Sequence, residues 1–310
     1  MFYQFTADGR TAVEPENISA DVFTAGYVDV AGLAALYERF GFAESTVDSC
    51  RNASAFFRTG VEVYKDYTFT ELRILNSHEE SDDYIALYLK KNLLLVVDID
   101  DADGSTREKL FAAMDRYPAE QLGAAKLLCA FVDALLAGDH KVLEALENDL
   151  SEQEEALLEK DPGSDFNSTL LGSKKLLSQR HAYYAQLLDI ADAVGENDND
   201  IFSESGLLYV SNLEKRISRL YDDTANLKNT VEHLQDAYSA YLDIRMNQTM
   251  KIFTVLTSIF FPLTIIVGWY GMNFQYMPEF AWKYGYVYVI ALSIVTVLIL
   301  IWVGKRKKWF

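Results

Sequence analysis

Residues 252–270 and 285–303 each run for 19 positions without a charged side chain. Each run is close to the roughly 20 residues an α-helix needs to cross a bilayer core. The 14 residues between them, 271–284, are too few for a domain, so the two runs are expected to form a helical hairpin. Lys305, Arg306, Lys307 and Lys308 follow the second run, whereas the connecting loop holds only Lys283. The excess of Lys and Arg beside cytoplasmic ends places the tail inside and the loop outside. The sequence therefore predicts two spans in the plasma (inner) membrane, with both termini cytoplasmic. Trp269, Tyr270, Tyr276, Trp282, Tyr284 and Tyr286 gather at the outer boundary, and Trp302 and Trp309 at the inner one, as interfacial belts do.

Everything before the first run has the opposite electrostatic character. The basic tail, and the cancelling pair Glu279 and Lys283, leave residues 1–251 at −22 against a chain total of −18. A surface that acidic repels nucleic acid phosphates and itself, and it favours divalent counter-ions between facing surfaces. Cys50 and Cys129 are too few for a disulfide framework and read as small buried hydrophobes in a reducing compartment. His78, His140, His181 and His233 share no ligand spacing. The first residues have neither the basic region nor the apolar run of a signal peptide. No nucleophile–base pair or phosphate-cradling glycine loop is evident, so an enzyme and an organic cofactor are not expected.

The N-terminal third reads as mixed strand and helix. Residues 84–89 and 93–97, joined by Lys90-Lys91-Asn92, predict a hairpin; residues 69–75 predict another strand, and 30–40 a helix after Asp29. The run from Asp98 to Gly104 has the wrong register for a calcium loop, because Ile99 would hold the first ligand position and Leu110 the closing one. It reads as a turn, with Ser105-Thr106-Arg107-Glu108 as a capping box for the next helix. Helical apolar spacing then covers 110–137, 141–159 and 170–194. The second of these carries seven carboxylates, read as a solvated face. After a break at 195–200, nothing stops a helix over 205–267 except Gly206 near its start and Pro262 near its end. At 1.5 Å per residue that is roughly 90 Å, too long for one domain core, so it calls for partner helices, most simply copies of itself.

Asp243, Asn247, Met250, Thr254, Thr257, Phe261, Thr264, Gly268 and Gly271 recur at alternating steps of four and three along this helix. They form one stripe of small and polar residues, interrupted by Met250 and Phe261. Spacing alone fits either a pore lining or close packing, since span threonines often bond their own backbone.

The loop carries a stronger signal. Tyr270-Gly271-Met272-Asn273-Phe274, followed by Met277-Pro278-Glu279, resembles the Gly-Met-Asn signature and following loop of the CorA family of magnesium transporters. The resemblance extends from about residue 230 through Asn247, Met250-Lys251, Leu256-Thr257 and Phe261-Pro262-Leu263-Thr264 to the terminal Lys-Arg-Lys-Lys-Trp-Phe. Further upstream the chain matches in layout only. The resemblance implies an α+β cytoplasmic domain, a long stalk helix and a two-helix transmembrane hairpin, assembled as a funnel-shaped homopentamer. The divisions expected are an α/β subdomain at 1–100, acidic helices at 101–204, a stalk at 205–251, a pore-lining span at 252–270, an outer loop at 271–284, an outer-ring span at 285–303 and a basic tail at 304–310.

The implied cargo is Mg²⁺, with cytoplasmic Mg²⁺ between protomers holding the channel closed. Asn273 and Gly271 are the implied ion site, the stripe with Met272 the ion pathway, and Glu279 an outer-loop acid. Mg²⁺ dehydrates reluctantly, and a neutral ring can bond its waters without trapping the ion. In the loop, Gln275 stands where the family often carries an acid and Ala281 where some members carry a base, so changed conductance is expected rather than lost selectivity; Gln248 also replaces a common acid and leaves the main reading intact. The alternatives are a transporter of Zn²⁺, Co²⁺ or Ni²⁺, of which Met272 speaks against the zinc branch, and a non-conducting membrane-anchored oligomer, against which the four hydroxyl residues of the first span speak.

Overall fold

The computed structural model describes residues 1–52, 60–76, 82–159, 162–163, 165–273, 277 and 282–306. It divides into two compact units, Met1–His233 and Leu234–Phe310.

The first unit is built on a seven-stranded sheet. Its strands are β1 (Phe2–Thr6), β2 (Gly9–Val13), β3 (Thr24–Asp29), β4 (Val61–Val63), β5 (Thr68–Ile74), β6 (Asp83–Lys90) and β7 (Leu93–Asp100), in the order β2-β1-β3-β7-β6-β5-β4. Among the described residues, only β3 and β7 pair in parallel. The expected hairpin is β6–β7, and the expected strand is β5. Leu93, Leu95 and Val97 join Leu33, Val47, Phe69 and Tyr88 in a core beneath α1 (Val30–Phe40) and α2 (Glu44–Asn52). The alternate residues Leu94 and Val96 are fully buried too. A strand covered on both faces reads as a continuous apolar run, as β7 does.

Close approach explains one glycine: a Cβ on Gly26 would lie 2.6 Å from the Phe2 ring and 2.9 Å from Leu95. Among the described residues, β4 pairs with Thr68–Thr70 of β5. Beyond it, Gln186 donates to the Glu71 carbonyl at 2.9 Å and accepts from the Arg73 N–H at 3.4 Å. One side chain thus occupies the uncovered sheet edge where a strand would otherwise pair. Gln186 lies on α6 (Phe166–Glu196).

Asp29 caps α1 through the Gly32 N–H at 2.8 Å, as its position before the helix predicts. Two expectations need correction. The capping box at Ser105–Glu108 does not form, because α3 (Ser105–Met114) starts one residue earlier than that box requires, after a left-handed Gly104. Its amides are satisfied by carboxylates upstream instead. Asp103 accepts from the Ser105 N–H at 2.7 Å, and Asp101 from the Arg107 N–H at 3.1 Å. Nor is 110–137 one helix. α3 ends at Met114, Pro118 leads a 3-10 turn over Ala119–Gln121, and α4 (Ala124–Leu135) follows Gly123. Proline lacks an N–H and biases its predecessor away from the helical region, which overrides the apolar spacing.

α5 (Asp139–Glu159) keeps Glu144, Glu147, Asp149, Glu152, Glu154 and Glu155 exposed, as a solvated face does. A buried network ties it to α6: Arg180 meets Asp139 at 2.8 Å, and the Tyr184 hydroxyl donates to the other Asp139 oxygen at 2.7 Å. Asn197, left-handed, ends α6 and clasps Phe202 through two reciprocal bonds of 3.0 and 3.1 Å. Cys50 and Cys129 are free and buried, and burial raises both thiols to about 12.

α7 (Glu204–Tyr270) is a single helix of 67 residues. Within the first unit it buries Val210, Leu213, Ile217, Leu220, Thr224 and Val231, at steps of three, four and seven. The second unit holds the rest of α7 and α8 (Gly285–Arg306).

Candidate ion pathway

The unbroken course of α7 turns the stripe from a sequence pattern into a physical face. Asp243, Asn247, Met250, Thr254, Thr257, Phe261, Thr264 and Gly268 all lie on this helix, and every one is exposed. The stripe spans about 38 Å of helix axis at 1.5 Å per residue. Pro262 removes one helical donor, the one that would serve the Ser258 carbonyl, yet the helix continues past it to Tyr270.

The hydroxyls answer part of the question that spacing left open. Thr254 donates to the Met250 carbonyl at 2.8 Å, Thr257 to Phe253 at 2.7 Å and Thr264 to Phe260 at 2.9 Å. Each hydroxyl has one proton and spends it on its own backbone. What it presents outward is oxygen lone pairs. A row of such acceptors repels nothing cationic and can accept hydrogen bonds from the waters around a hydrated cation. Back-bonding and pore lining are thus compatible in one side chain.

Gly271 follows the helix end directly, with its N–H bonded to the Val267 carbonyl at 2.8 Å. A Cβ there would meet that same carbonyl oxygen at 2.8 Å, so a larger residue would push against the last turn. A Cβ on Gly268 would meet nothing within 4 Å in the chain itself. Met272 and Asn273 follow, both exposed. Glu279 and the departures Gln275 and Ala281 lie outside the described residues.

Around the stripe, α7 and α8 expose apolar surface: Ile252, Phe253, Leu256, Phe260, Ile265 and Trp269 on one, Val287, Ile294, Leu298 and Trp302 on the other. Both helices are long and apolar enough to cross a membrane. Exposed apolar area of this extent marks a lipid or protein contact surface.

Sequence reading did not single out one feature. Asp83, Asp101 and Asp103 bring carboxylate oxygens within 4.8 Å of one another. Asp83 also accepts from the Ser105 and Thr106 hydroxyls at 3.1 and 2.7 Å. Burial raises the Asp83 carboxyl, while the Ser105 N–H holds Asp103 below its ordinary value. These contacts start α3, and the separation of Asp83 from the other two in sequence hid them.

A family model described as CorA-like Mg2+ transporter protein matches residues 26–306. The chain is 29% identical over 265 residues to the cobalt/magnesium transport protein CorA of Thermotoga maritima, covering 81% of this chain and 73% of that one. It is 39% identical over 95 residues to the magnesium transport protein CorA of Wolinella succinogenes, covering 31% and 30%. Its fold is similar to the complete CorA magnesium transporter structure from Methanocaldococcus jannaschii, with a TM-score of 0.78 at 23% identity, over 100% and 98% of the two chains. With the match running from the sheet through both apolar helices, this chain belongs to the CorA-like Mg2+ transporter protein family.

Proposed function

We propose that this chain is one subunit of a homo-oligomeric, most simply pentameric, channel that carries Mg²⁺ across the plasma membrane. Five copies of α7 would surround the pathway and five copies of α8 would form the outer ring. The observation that carries this reading is the exposed polar stripe on one continuous helix, leading to Gly271-Met272-Asn273. Mg²⁺ keeps several waters when protein binds it. A ring of Asn273 carboxamides and Gly271 carbonyls would hold those waters at the entrance, and outward-facing threonine oxygens would pass the hydrated ion along. None of these groups is charged, so the ion is held weakly enough to leave.

The family match and the magnesium named for the relatives support the cargo; the cobalt in the Thermotoga protein's name makes Co²⁺ the competitor to test. The basic residues after α8 support a cytoplasmic position for the acidic domain. Control by cytoplasmic Mg²⁺, which the family resemblance implies, is supported by the charge of −22 on residues 1–251, since facing acidic surfaces repel unless divalent ions lie between them. The deciding experiment reconstitutes the purified protein in liposomes and measures Mg²⁺ entry with a trapped indicator, with and without Co²⁺ outside. Mg²⁺ entry that Co²⁺ reduces by competition is expected. No entry of either ion would overturn the channel reading.

A further inference from the structure

The first unit contains a cleft of about 520 Å³ at one end of the sheet, where β3 and β7 begin and β6 ends. Its charge is out of character with the chain. Arg39, Lys65, Lys90 and Lys91 line it, against only two carboxylates, Asp66 and Asp200. Residues 1–251, by contrast, carry an excess of 22 acids. Among the described residues, none of the four cations has a carboxylate within ion-pair distance. Two are instead held in place by backbone carbonyls: Lys90 donates to Phe40 and Arg39 to Glu16, both at 2.6 Å. Lys90 is half-buried, and burial lowers its pKa even though Asp66, at the same cleft but beyond ion-pair distance, acts to raise it.

A protein with so many carboxylates could easily have placed one opposite each of these cations. That none of the four has a carboxylate at ion-pair distance among the described residues points to an anion from outside. We propose that this cleft binds a phosphorylated small molecule of nucleotide size. One carboxylate would not engage four cations, whereas a diphosphate offers several charges and many acceptor oxygens to an arginine fork and lysine ammoniums. Phe40, Leu93 and Ile201 supply an apolar wall for an organic body. The volume falls in the range of small-molecule sites. The site belongs to the cytoplasmic-type domain alone and does not depend on the ion pathway.

The test is calorimetric titration of the full-length protein in detergent, in metal-free buffer, with sodium phosphate, sodium pyrophosphate and ADP. One site per chain is expected. Pyrophosphate should bind tighter than phosphate, and ADP tighter than pyrophosphate. Arg39→Gln and Lys90→Gln should each weaken ADP binding by about ten-fold, a typical scale for a charged hydrogen bond. Lys90 also supports the end of α1, so Lys65→Gln with Lys91→Gln, both exposed, provides a variant that leaves the packing intact and should show a similar loss. Lys174→Gln, remote from the cleft, should bind normally. The proposal is overturned by absent saturation with all three probes, by ADP binding no better than pyrophosphate, or by affinity indifferent to the substitutions. It is equally overturned if Lys65→Gln with Lys91→Gln changes the oligomeric mass and not the affinity, because the cations would then face carboxylates of another copy.

Discussion

Asn273 and Glu71 are polar residues in opposite environments, and each makes a distinct forecast. Asn273 is exposed just beyond the end of α7, so its removal disturbs no packed core. Asn273→Ala should abolish Mg²⁺ entry in the liposome assay while size-exclusion profiles stay unchanged; a fully active variant would place the first ion site elsewhere. Glu71 is buried in β5, and its Oε1 has no hydrogen-bond partner among the described residues. Burial, with a smaller contribution from Glu62, raises its pKa to about 7. The folded value thus exceeds the unfolded one, so stability is fully present below about 4.5 and is lost as pH rises through 7. Glu71→Gln should be more stable than the parent at pH 8, by up to about 3 kcal/mol, and similar to it near pH 4.5. Thermal unfolding across pH checks this, and parallel curves for the two proteins would reject it.

The elements differ in what fixes them. α5 and α6 are joined by Asp139, Arg180 and Tyr184, with both charged side chains less than a tenth exposed. Asp139→Ala would leave Arg180 buried without that partner and should cost about 3–5 kcal/mol. A shift in thermal midpoint no larger than that of a surface control would show that water replaces the lost carboxylate. α7 has the reverse problem. Its first part is anchored by the buried row from Val210 to Val231, whereas the portion from Leu242 onward leaves many large apolar side chains exposed. At Gly268 an added methyl group would point into open space, so nothing among the described residues restricts side-chain size there.

For the molecule as a whole, the two quantities to measure are assembly and its dependence on ions. A helix of 67 residues with an exposed apolar and polar membrane face cannot be satisfied alone, so a stable oligomer is expected by light scattering in detergent. A persistent monomer would sink the pore. Mg²⁺ bound between acidic surfaces of the assembled form should stabilise it by RT ln(1 + [L]/Kd), about 1.4 kcal/mol at roughly ten times Kd. General screening makes a different forecast, because NaCl at equal ionic strength would then serve as well. Thermal unfolding of the full-length protein in MgCl₂ and in matched NaCl separates them; equal midpoints would reject specific binding.

The membrane end was legible in the sequence because a bilayer imposes a one-dimensional rule: length and absence of charge suffice to mark a span. The stripe from Asp243 to Gly268 was legible for a related reason, since helical periodicity converts spacing directly into a face. The β6–β7 hairpin and the Asp29 cap are also local and could be read from neighbouring residues. The tertiary structure alone decided what depends on distant partners. It set Thr24 of β3 beside Leu93 of β7, placed Gln186 on the free edge of β5, and assigned the capping of α3 to Asp101 and Asp103 rather than to its own first turn. It also gathered Arg39, Lys65, Lys90 and Lys91 around one cleft. No periodicity connects those four residues: they come from a helix end, a turn and a hairpin, and only sheet pairing brings three such ends together.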